Sequence, residues 1–343
     1  MEAAAGQQAR MGWWSHVPAH QRTAFLMMLV FFAVAPAVIY PVFLMKVMCF
    51  ALFACAFNLL LGYGGLLSFG HAMFLGMGGY VAAYTAKLGL VVGGFKMFGV
   101  QIPVLLSLPP FSPEFAILAG AFAACALGIV SGLIAIRRQG IYFAMITLAL
   151  AQMVYFFCVQ APFTHGEDGI QEVPRGRLFG IVDLSNVTAM YVLVFVIFFS
   201  GFLAIYRIIH SPFGQVLKAI RENEPRAISL GYDTDRYKLL AYVLSATLSG
   251  VAGATNALVF QLAALNAVHW TMSGEVVLMT LVGGMGTVFG PVAGALVVLA
   301  MENYFAQLGA WVTIAQGVIF VVCVLTFRRG IVGELGRFLK KSL

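Results

Sequence analysis

The chain has 343 residues, of which 62% are hydrophobic and only 10% are charged, and its formal net charge is +7. Soluble domains carry about a quarter charged residues, so this composition excludes a cytosolic enzyme, a secreted disulfide scaffold and a free nucleic-acid-binding protein. The five cysteines lie in apolar runs without a CxxC pair, which is typical of small buried hydrophobic residues. The composition predicts an integral membrane protein, and its long uncharged runs predict an all-α polytopic one.

The number of membrane spans follows from the uncharged runs, since a helix crosses the hydrocarbon layer with about 20 apolar residues. We expect one span in most of these runs. The second run, 47–86, should hold two, because glycines at 62, 64 and 65 mark a break. The last run is divided at the glycine-rich stretch 283–290 and near Gly309. The total is about ten transmembrane helices. The uncharged runs are 23–45, 47–86, 115–136, 139–161, 184–206, 239–274 and 276–327, the last interrupted by a single acid.

The distribution of basic residues predicts the orientation. If the N-terminus is cytoplasmic, the inside segments hold 15 of the 20 Lys and Arg residues, as the positive-inside rule requires. This bias explains the net charge without nucleic acid and places both termini in the cytoplasm. A cleaved signal peptide over 22–40 is the alternative, but its apolar run is longer than usual and no small-x-small site follows it. The inside segments are 1–22, 137–138, 207–238 and 328–343.

The spans divide the chain into a cytoplasmic N-terminal tail (1–22), a transmembrane domain (23–327) and a basic cytoplasmic C-terminal tail (328–343). Two external loops are expected, at 87–113 and 162–188.

The only long cytoplasmic loop, 207–238, has signals for two short amphipathic helices. Ser211 and Pro212 form a helix-start signal. Pro225 cannot continue the same helix because it lacks the N–H group, and Gly231 suits a left-handed helix end. Two readings stay open at this point, a solvated connector and a docking element for a soluble partner.

The predicted apex of this loop carries charges of both signs. We expect the first helix to end near Glu224 and a second to start at Pro225, with Asn223 or Glu224 as its cap. Apolar contact area for a partner is expected from Ile220, Ala227 and Leu230.

The segment SPFGQVLKAIRENEPRAISLGYD (211–233) resembles the cytoplasmic coupling segment of LivM-type permeases, the inner-membrane subunits of ABC importers for branched-chain amino acids. The resemblance covers about residues 40–327. Four other stretches are similar in the same order: NLLLGYGGLLSFGHAMFLGMGGY (58–80), RRQGIYFAMITLALAQMVY (137–155), THGEDGI (164–170) and LVGGMGTVFGPVAGA (281–295).

The resemblance implies a permease bundle of about ten helices that pairs with a second related permease, two ABC ATPase subunits and a periplasmic binding protein. None of the seven lysines follows a glycine, as a phosphate-binding Walker A loop would require. We therefore expect ATP on the partner subunits and no cofactor, catalytic residue or metal in this chain. Related systems carry urea, amides and aromatic acids, but GEDG (166–169) is more similar to the amino-acid branch.

The predicted site residues form two sets. Contact with the ATPase subunits is expected from Gly214, Ala219, Ile220, Arg221, Glu222, Asn223, Glu224, Ala227, Leu230 and Gly231. The candidates for the translocation path or its hinges are Asn58, Gly65, Ser68, His71, Thr147, Gln152, Gly283, Gly286, Gly290 and Glu302.

Two acids lie within the apolar runs. An acid at the bilayer centre costs about 2.5–3.5 kcal/mol. Glu275 and Glu302 both lie toward predicted outer ends of spans, where this cost falls. We interpret Glu275 as an interface or helix-start residue, and expect Glu302 to pair with a polar group or to face a cavity. The glycine-rich breaks can expose helix ends to a substrate or allow close helix packing, and packing or hinge roles are favoured.

Three functions compete. The first is an ABC importer permease without catalysis of its own. The second is a self-sufficient secondary transporter or channel that uses Glu302 or Glu275 for proton coupling. The third is a membrane-embedded enzyme built around His71, but the chain has no HExxH motif, no GxSxG motif and no paired acids in a span. The resemblance and the docking loop favour the first.

Overall fold

The computed structural model describes residues 19–89, 109–305 and 330–338, with short stretches between 91 and 107 and between 314 and 325. Within these residues the architecture is an all-α bundle. The helices are α1 (Ala19–Val34), α2 (Pro41–Asn58), α3 (Ala72–Leu88), α4 (Pro113–Ala135), α5 (Ile141–Gln160), α6 (Val187–His210), α7 (Pro212–Glu222), α8 (Glu224–Ser229), α9 (Thr234–Phe260), α10 (Trp270–Gly283), α11 (Gly290–Tyr304) and α12 (Gly330–Phe338).

Five helices of the described part are long and apolar enough to cross a membrane, namely α2 with the π turn that follows it, α4, α5, α6 and α9. The chain is therefore a multi-pass membrane protein. Helices occupy nine of the ten expected span positions, the other four being α1, α3, α10 and α11. Only isolated residues of the expected tenth span are described, and the division near Gly309 lies outside the described residues, so the total of ten stays a prediction.

The uncharged run 23–45, which was expected to hold one span, is not one continuous helix. Helix α1 stops at Val34, and a 3-10 turn that contains Pro36 follows it. A new helix starts at Pro41, which stands at the first helical position, where its missing N–H costs nothing. As a result Lys46, which the sequence analysis placed between two spans, lies inside α2.

Eight strands of two residues each form four antiparallel pairs in the described loops. Two pairs lie in the loop between α3 and α4, and one closes a hairpin in the loop between α5 and α6. The fourth ties that second loop to the segment after α9, with Ile170 opposite Ala263. The strands are β1 (Val91–Val92), β2 (Lys96–Met97), β3 (Val100–Gln101), β4 (Leu106–Ser107), β5 (Ile170–Gln171), β6 (Arg177–Leu178), β7 (Val182–Asp183) and β8 (Leu262–Ala263).

Helix α2 forms the centre of the bundle. It is buried along most of its length and packs against α6, α9, α10 and α11. Beside it, α3, α4 and α9 approach closely through glycines. A Cβ atom at Gly78 would lie 2.3 Å from the carbonyl oxygen of Gly250, and one at Gly120 would lie 2.5 Å from that of Gly78. Such small residues let membrane helices pack backbone to backbone.

The outer helices present large apolar side chains to the surroundings of the bundle. Phe122 on α4, Met153 on α5 and Met27 on α1 are each more than 60% exposed. Water would disfavour an apolar surface of this extent, whereas the hydrocarbon of a bilayer solvates it. We interpret these faces as lipid-facing.

The segment between α6 and α9 folds as two short helices, as the sequence predicts. Ser211 caps α7 by accepting a hydrogen bond from Gly214 N at 3.3 Å, and Asn223 caps α8 through Arg226 N at 3.1 Å. Gly231 follows the end of α8 in the left-handed conformation, with φ at +88°. Since α6 runs to His210 and α9 starts at Thr234, the segment is shorter than the predicted 207–238. We refer to residues 211–233 as the helical loop.

Candidate functional site

Two glycine-rich breaks interrupt the membrane helices on the side of the bundle that carries the helical loop. The first follows a π turn (Leu59–Tyr63) that extends α2, and the second lies between α10 and α11. Asn58 joins the two breaks. Its Nδ2 donates to the carbonyl oxygen of Thr287 at 2.9 Å, and its Oδ1 accepts from Gly286 N at 2.9 Å. Both ends of the amide are satisfied, so the two breaks are held together.

Arg221 connects this junction to the helical loop. Its Nη1 donates to the carbonyl oxygen of Gly62 in the π turn. A Cβ atom at Gly65 would lie 3.0 Å from Arg221 Cγ, and one at Gly286 would lie 3.4 Å from Arg221 Nη1. The guanidinium therefore occupies the space between both breaks. We call Asn58, Gly62, Arg221, Gly286 and Thr287 the glycine hub.

Two charged residues of the expected apex make contacts within the chain, although Arg221 also remains exposed. Arg221 directs its guanidinium inward, into the hub. Glu224 Oε1 pairs with Lys238 Nζ at 2.5 Å, and both side chains are largely buried. These contacts arise because the helical loop lies against the first turns of α9 and the end of α2, where a long polar side chain finds partners within its own chain.

The prediction that Ile220, Ala227 and Leu230 provide apolar contact area for a partner is also partly wrong. Ile220 and Ala227 are buried at 2% and 3% exposure, so they pack within the chain instead of facing a partner. Amphipathic helices on a bundle turn their apolar face toward it, and the sequence alone does not show which apolar residues remain outside. Leu230, at 69%, is exposed as expected.

The exposed surface of the helical loop has a mixed character. Ile228 is exposed as well, at 56%. Gly214, by contrast, is buried against the carbonyl groups of Ile208 and Ile209. Residues Ala219, Arg221, Glu222, Asn223, Pro225, Arg226 and Gly231 are also exposed. Three large hydrophobic side chains, Ile228, Leu230 and Tyr232, remain available to a soluble partner beside charges of both signs.

A cavity of about 460 Å³ separates parts of the helical loop from the hub. It is lined by Tyr63, Lys218, Arg221, Glu222 and Gly286, among others. Lys218 Nζ lies 5.4 Å from the centre of the Tyr63 ring. The cavity leaves open space beside part of the loop, while buried Leu217 and Ile220 and the Glu224–Lys238 pair hold the loop to the bundle.

His71 is a core residue in this structure. Its ring is fully buried, and its Nε2 lies 2.8 Å from Ser245 Oγ. Ser245 donates its own proton to the carbonyl oxygen of Ala56 at 2.5 Å, so Nε2 must carry the hydrogen and act as donor. The ring makes edge-on contacts with Phe57, among others. These contacts join α2, α3 and α9 and do not bring an acid to His71.

The remaining path candidates are mostly packing residues. Thr147 is buried and donates to the carbonyl oxygen of Ala144 in its own helix at 2.9 Å. Ser68 accepts from Gly70 N at 3.3 Å. A Cβ atom at Gly283 would lie 1.9 Å from the carbonyl oxygen of Gly290, so these two glycines allow α10 and α11 to meet. Gln152 is half-buried on α5.

Glu302 forms an ion pair at the opposite end of the bundle, where α2 begins and α9 ends. Its Oε2 lies 3.1 Å from Lys46 Nζ. Glu275 lies on the neighbouring helix, six residues into α10. The expectation that Glu302 pairs with a polar group is consistent with this geometry.

A cavity of about 260 Å³ lies beside this ion pair. Lys46, Phe50, Asn256 and Met272 contribute to its lining. The sequence analysis missed Lys46 and Asn256 as site residues. Lys46 had a signal, since it is the only Lys, Arg, Asp or Glu between residues 23 and 86.

The chain is similar to several transport proteins. It is 23% identical over 307 residues to the high-affinity branched-chain amino acid transport system permease protein LivM of Escherichia coli. The matched region covers 83% of this chain and 68% of that protein. It is 26% identical to the ribose import permease protein RbsC of Bacillus subtilis, over 77% of this chain and 81% of the relative. A probable branched-chain amino acid transport permease protein LivM of Methanocaldococcus jannaschii is 26% identical, over 70% of this chain and 73% of that protein. No solved structure shows a significant match.

The family comparison covers most of the chain. Residues 40–327 match the family described as the permease component of a branched-chain amino acid transport system. This range contains both glycine-rich breaks, the helical loop and the cavity beside Lys46. It agrees with the range over which the sequence resembles LivM-type permeases, and the family is one of transport permeases and not of enzymes. The chain therefore belongs to the family of branched-chain amino acid ABC permeases.

Proposed function

We propose that the chain is the permease subunit of an ABC importer in a bacterial inner membrane. It forms part of the path for branched-chain or related amino acids, which a periplasmic binding protein delivers. The family and two of the relatives named above, which are described as branched-chain amino acid permeases, support this substrate class. A relative described as a ribose permease makes a test of the substrate necessary.

The proposed assembly contains a second related permease and two ATPase subunits that bind the ATP. The chain's own sequence supports this division of labour, because no lysine follows a glycine as in a Walker A loop. The basic-residue bias supports a cytoplasmic position for both termini and for the helical loop. In this orientation the external loops and the cavity beside Lys46 face the periplasm.

The observation that carries the mechanism is the contact between Arg221 and the glycine hub. An ATPase subunit that binds Ile228, Leu230 and the exposed charges of the helical loop shifts this loop during its cycle. Arg221 transmits the shift to the carbonyl group of Gly62, and Asn58 extends it to Gly286. The two breaks are the points at which α2, α10 and α11 can bend, so the hub links ATP hydrolysis to movement of the path.

Reconstitution of the complete assembly in proteoliposomes tests this function. With ATP on the ATPase side and binding protein on the other, we expect uptake of L-leucine that disappears when the ATPase subunits carry a Walker A lysine substitution. The chain alone, given a proton gradient, should take up none. Uptake by the chain alone would instead favour the secondary transporter.

A further inference from the structure

The cavity beside Lys46 has the size of a small metabolite. Drug-sized ligands occupy cavities of about 300–1,000 Å³, and the volume here is about 260 Å³. It lies between the first turns of α2, the last turn of α9 and the segment around β8. This places it at the end of the bundle opposite the helical loop, outside the coupling machinery described above.

Lys46 brings a positive charge to this cavity. The ammonium group has three N–H donors, and one of them points at Glu302 Oε2. The Lys46 side chain remains 31% exposed, and its Nζ lies 5.9 Å from the centre of the Phe50 ring, which also lines the cavity. A ligand carboxylate can therefore accept another of these hydrogen bonds, and the ammonium group of a zwitterionic ligand offsets the added negative charge.

Asn256 brings a carboxamide to the lining of the same cavity. Its Oδ1 is buried and has no hydrogen-bond partner among the described residues. A buried acceptor left unsatisfied costs about 1–3 kcal/mol, and no described residue offsets this cost. A turn of the carboxamide that places this oxygen in the cavity, against a ligand donor, is therefore favourable. A ligand ammonium supplies such a donor and brings three of them.

The rest of the lining is apolar or small. Leu75, Phe260 and Met272 present apolar side chains, and Gly76 and Gly79 of α3 leave the space open. An apolar wall of this kind favours an aliphatic group over a polyhydroxylated one, because sugar hydroxyls would lose water without gaining partners. The cavity thus combines a cation, an acceptor and an apolar wall.

We propose that this cavity is a subsite for a zwitterionic amino acid with an apolar side chain. Lys46 binds its carboxylate, Asn256 Oδ1 accepts from its ammonium group, and Leu75 and Met272 contact its side chain. The proposal rests on the proposed function as an importer permease, and it names the residues that receive the substrate from the binding protein.

The test uses the complete reconstituted importer and three variants. Lys46→Gln removes the charge, and Asn256→Leu removes the acceptor at nearly constant volume. Each should lower L-leucine uptake about tenfold, because each removes one charge-assisted hydrogen bond to the substrate. Stimulation of ATP hydrolysis by the loaded binding protein should persist. Lys46→Arg, which keeps the charge and the donors, should retain most of the uptake.

A binding measurement without turnover completes the test. Millimolar L-leucine should raise the thermal unfolding midpoint of the wild-type permease complex in detergent, and leucinol, which lacks the carboxylate, should not. The Lys46→Gln complex should respond to neither. Glu302→Gln is the matched control, because it removes the ion pair but keeps the ammonium, and it should retain the response to L-leucine.

The outcomes separate the two proposals. If the wild-type importer carries no branched-chain amino acid, the proposed function is wrong. If the wild type transports L-leucine and Lys46→Gln and Asn256→Leu transport it equally well, only the subsite is wrong. Equal losses of uptake and of thermal response in Lys46→Gln and Glu302→Gln would show that the ion pair is merely structural and would also overturn the subsite.

Discussion

Arg221 of the helical loop donates a hydrogen bond to the carbonyl group of Gly62, a residue 159 positions earlier in the chain. The bond joins a surface helix to the π turn at the end of the central helix α2. Since a charged donor makes a stronger hydrogen bond than a neutral one, we expect a displacement of the loop to pull on the first glycine-rich break.

Replacement of Arg221 should uncouple transport from ATP hydrolysis. Arg221→Gln shortens the side chain and removes its charge, so the contact with Gly62 is lost. We expect ATP-dependent uptake to fall about tenfold, the effect of one charged hydrogen bond, while the ATPase subunits still co-purify with the chain. Uptake assays and affinity purification measure the two quantities on the same preparation.

Glu222→Gln is the matched control for that variant. Glu222 is the next residue, is exposed and makes no hydrogen bond within the described residues, so any effect of it reflects contact with a partner. If Arg221→Gln loses the ATPase subunits while Glu222→Gln keeps them, Arg221 acts at the docking surface and the hub does not transmit movement.

Added side-chain volume in the hub should damage it. A Cβ atom at Gly62 would lie 2.1 Å from Asn58 Oδ1 and 2.7 Å from Gly286 N, so Gly62→Ala forces apart the atoms that join the two breaks. Gly286→Leu adds strain as well, because φ is +79° there and a side chain in that region costs about 1–2 kcal/mol. We expect both variants to lower the thermal unfolding midpoint and the uptake of substrate.

Gly274→Ala controls for the loss of a glycine in a membrane helix. A Cβ atom at Gly274 would meet nothing within 4 Å, and alanine is favoured over glycine inside a helix by about 0.5–1 kcal/mol. This variant should behave like the wild type. Normal uptake by Gly286→Leu at normal expression would contradict a tight or hinged role for the second break.

The Glu224–Lys238 pair should stabilise the helical loop on the bundle. Both side chains are largely buried, and removal of one partner from a buried pair costs about 3–5 kcal/mol. Lys238→Met should therefore lower the unfolding midpoint. The exchange Glu224→Lys with Lys238→Glu should recover part of the loss. A double-mutant cycle in detergent measures this coupling, and additive effects of the two single changes would show that the pair contributes nothing.

The orientation can be tested by thiol labelling in intact cells. Gln171 and Gln215 are both exposed, and the basic-residue bias places the first outside and the second in the cytoplasm. A cysteine at 171 should react with a membrane-impermeant reagent and one at 215 should not, with the unsubstituted chain as background. The reverse pattern would overturn the orientation and the proposed docking of ATPase subunits.

Local signals in the sequence were sufficient for the helices and their ends. Ser211 with Pro212, the break at Pro225 and the left-handed Gly231 predict the two helices of the helical loop, because caps, proline and glycine act through the backbone of neighbouring residues. The bounds at Val34 and Pro41 were missed, since an apolar run shows where a chain can lie in lipid but not where one helix ends and the next begins.

The sequence by itself determined the class of protein, the approximate positions of its spans and its family, because these depend on hydropathy, chain-local signals and motif order. Only the tertiary structure decided which way the polar side chains point. Arg221 and Glu224 bind inside the chain, Ile220 is buried, and Lys46 and Asn256 meet at one cavity although 210 residues separate them. Contacts of this kind depend on how distant helices pack, and no local pattern of residues encodes that packing.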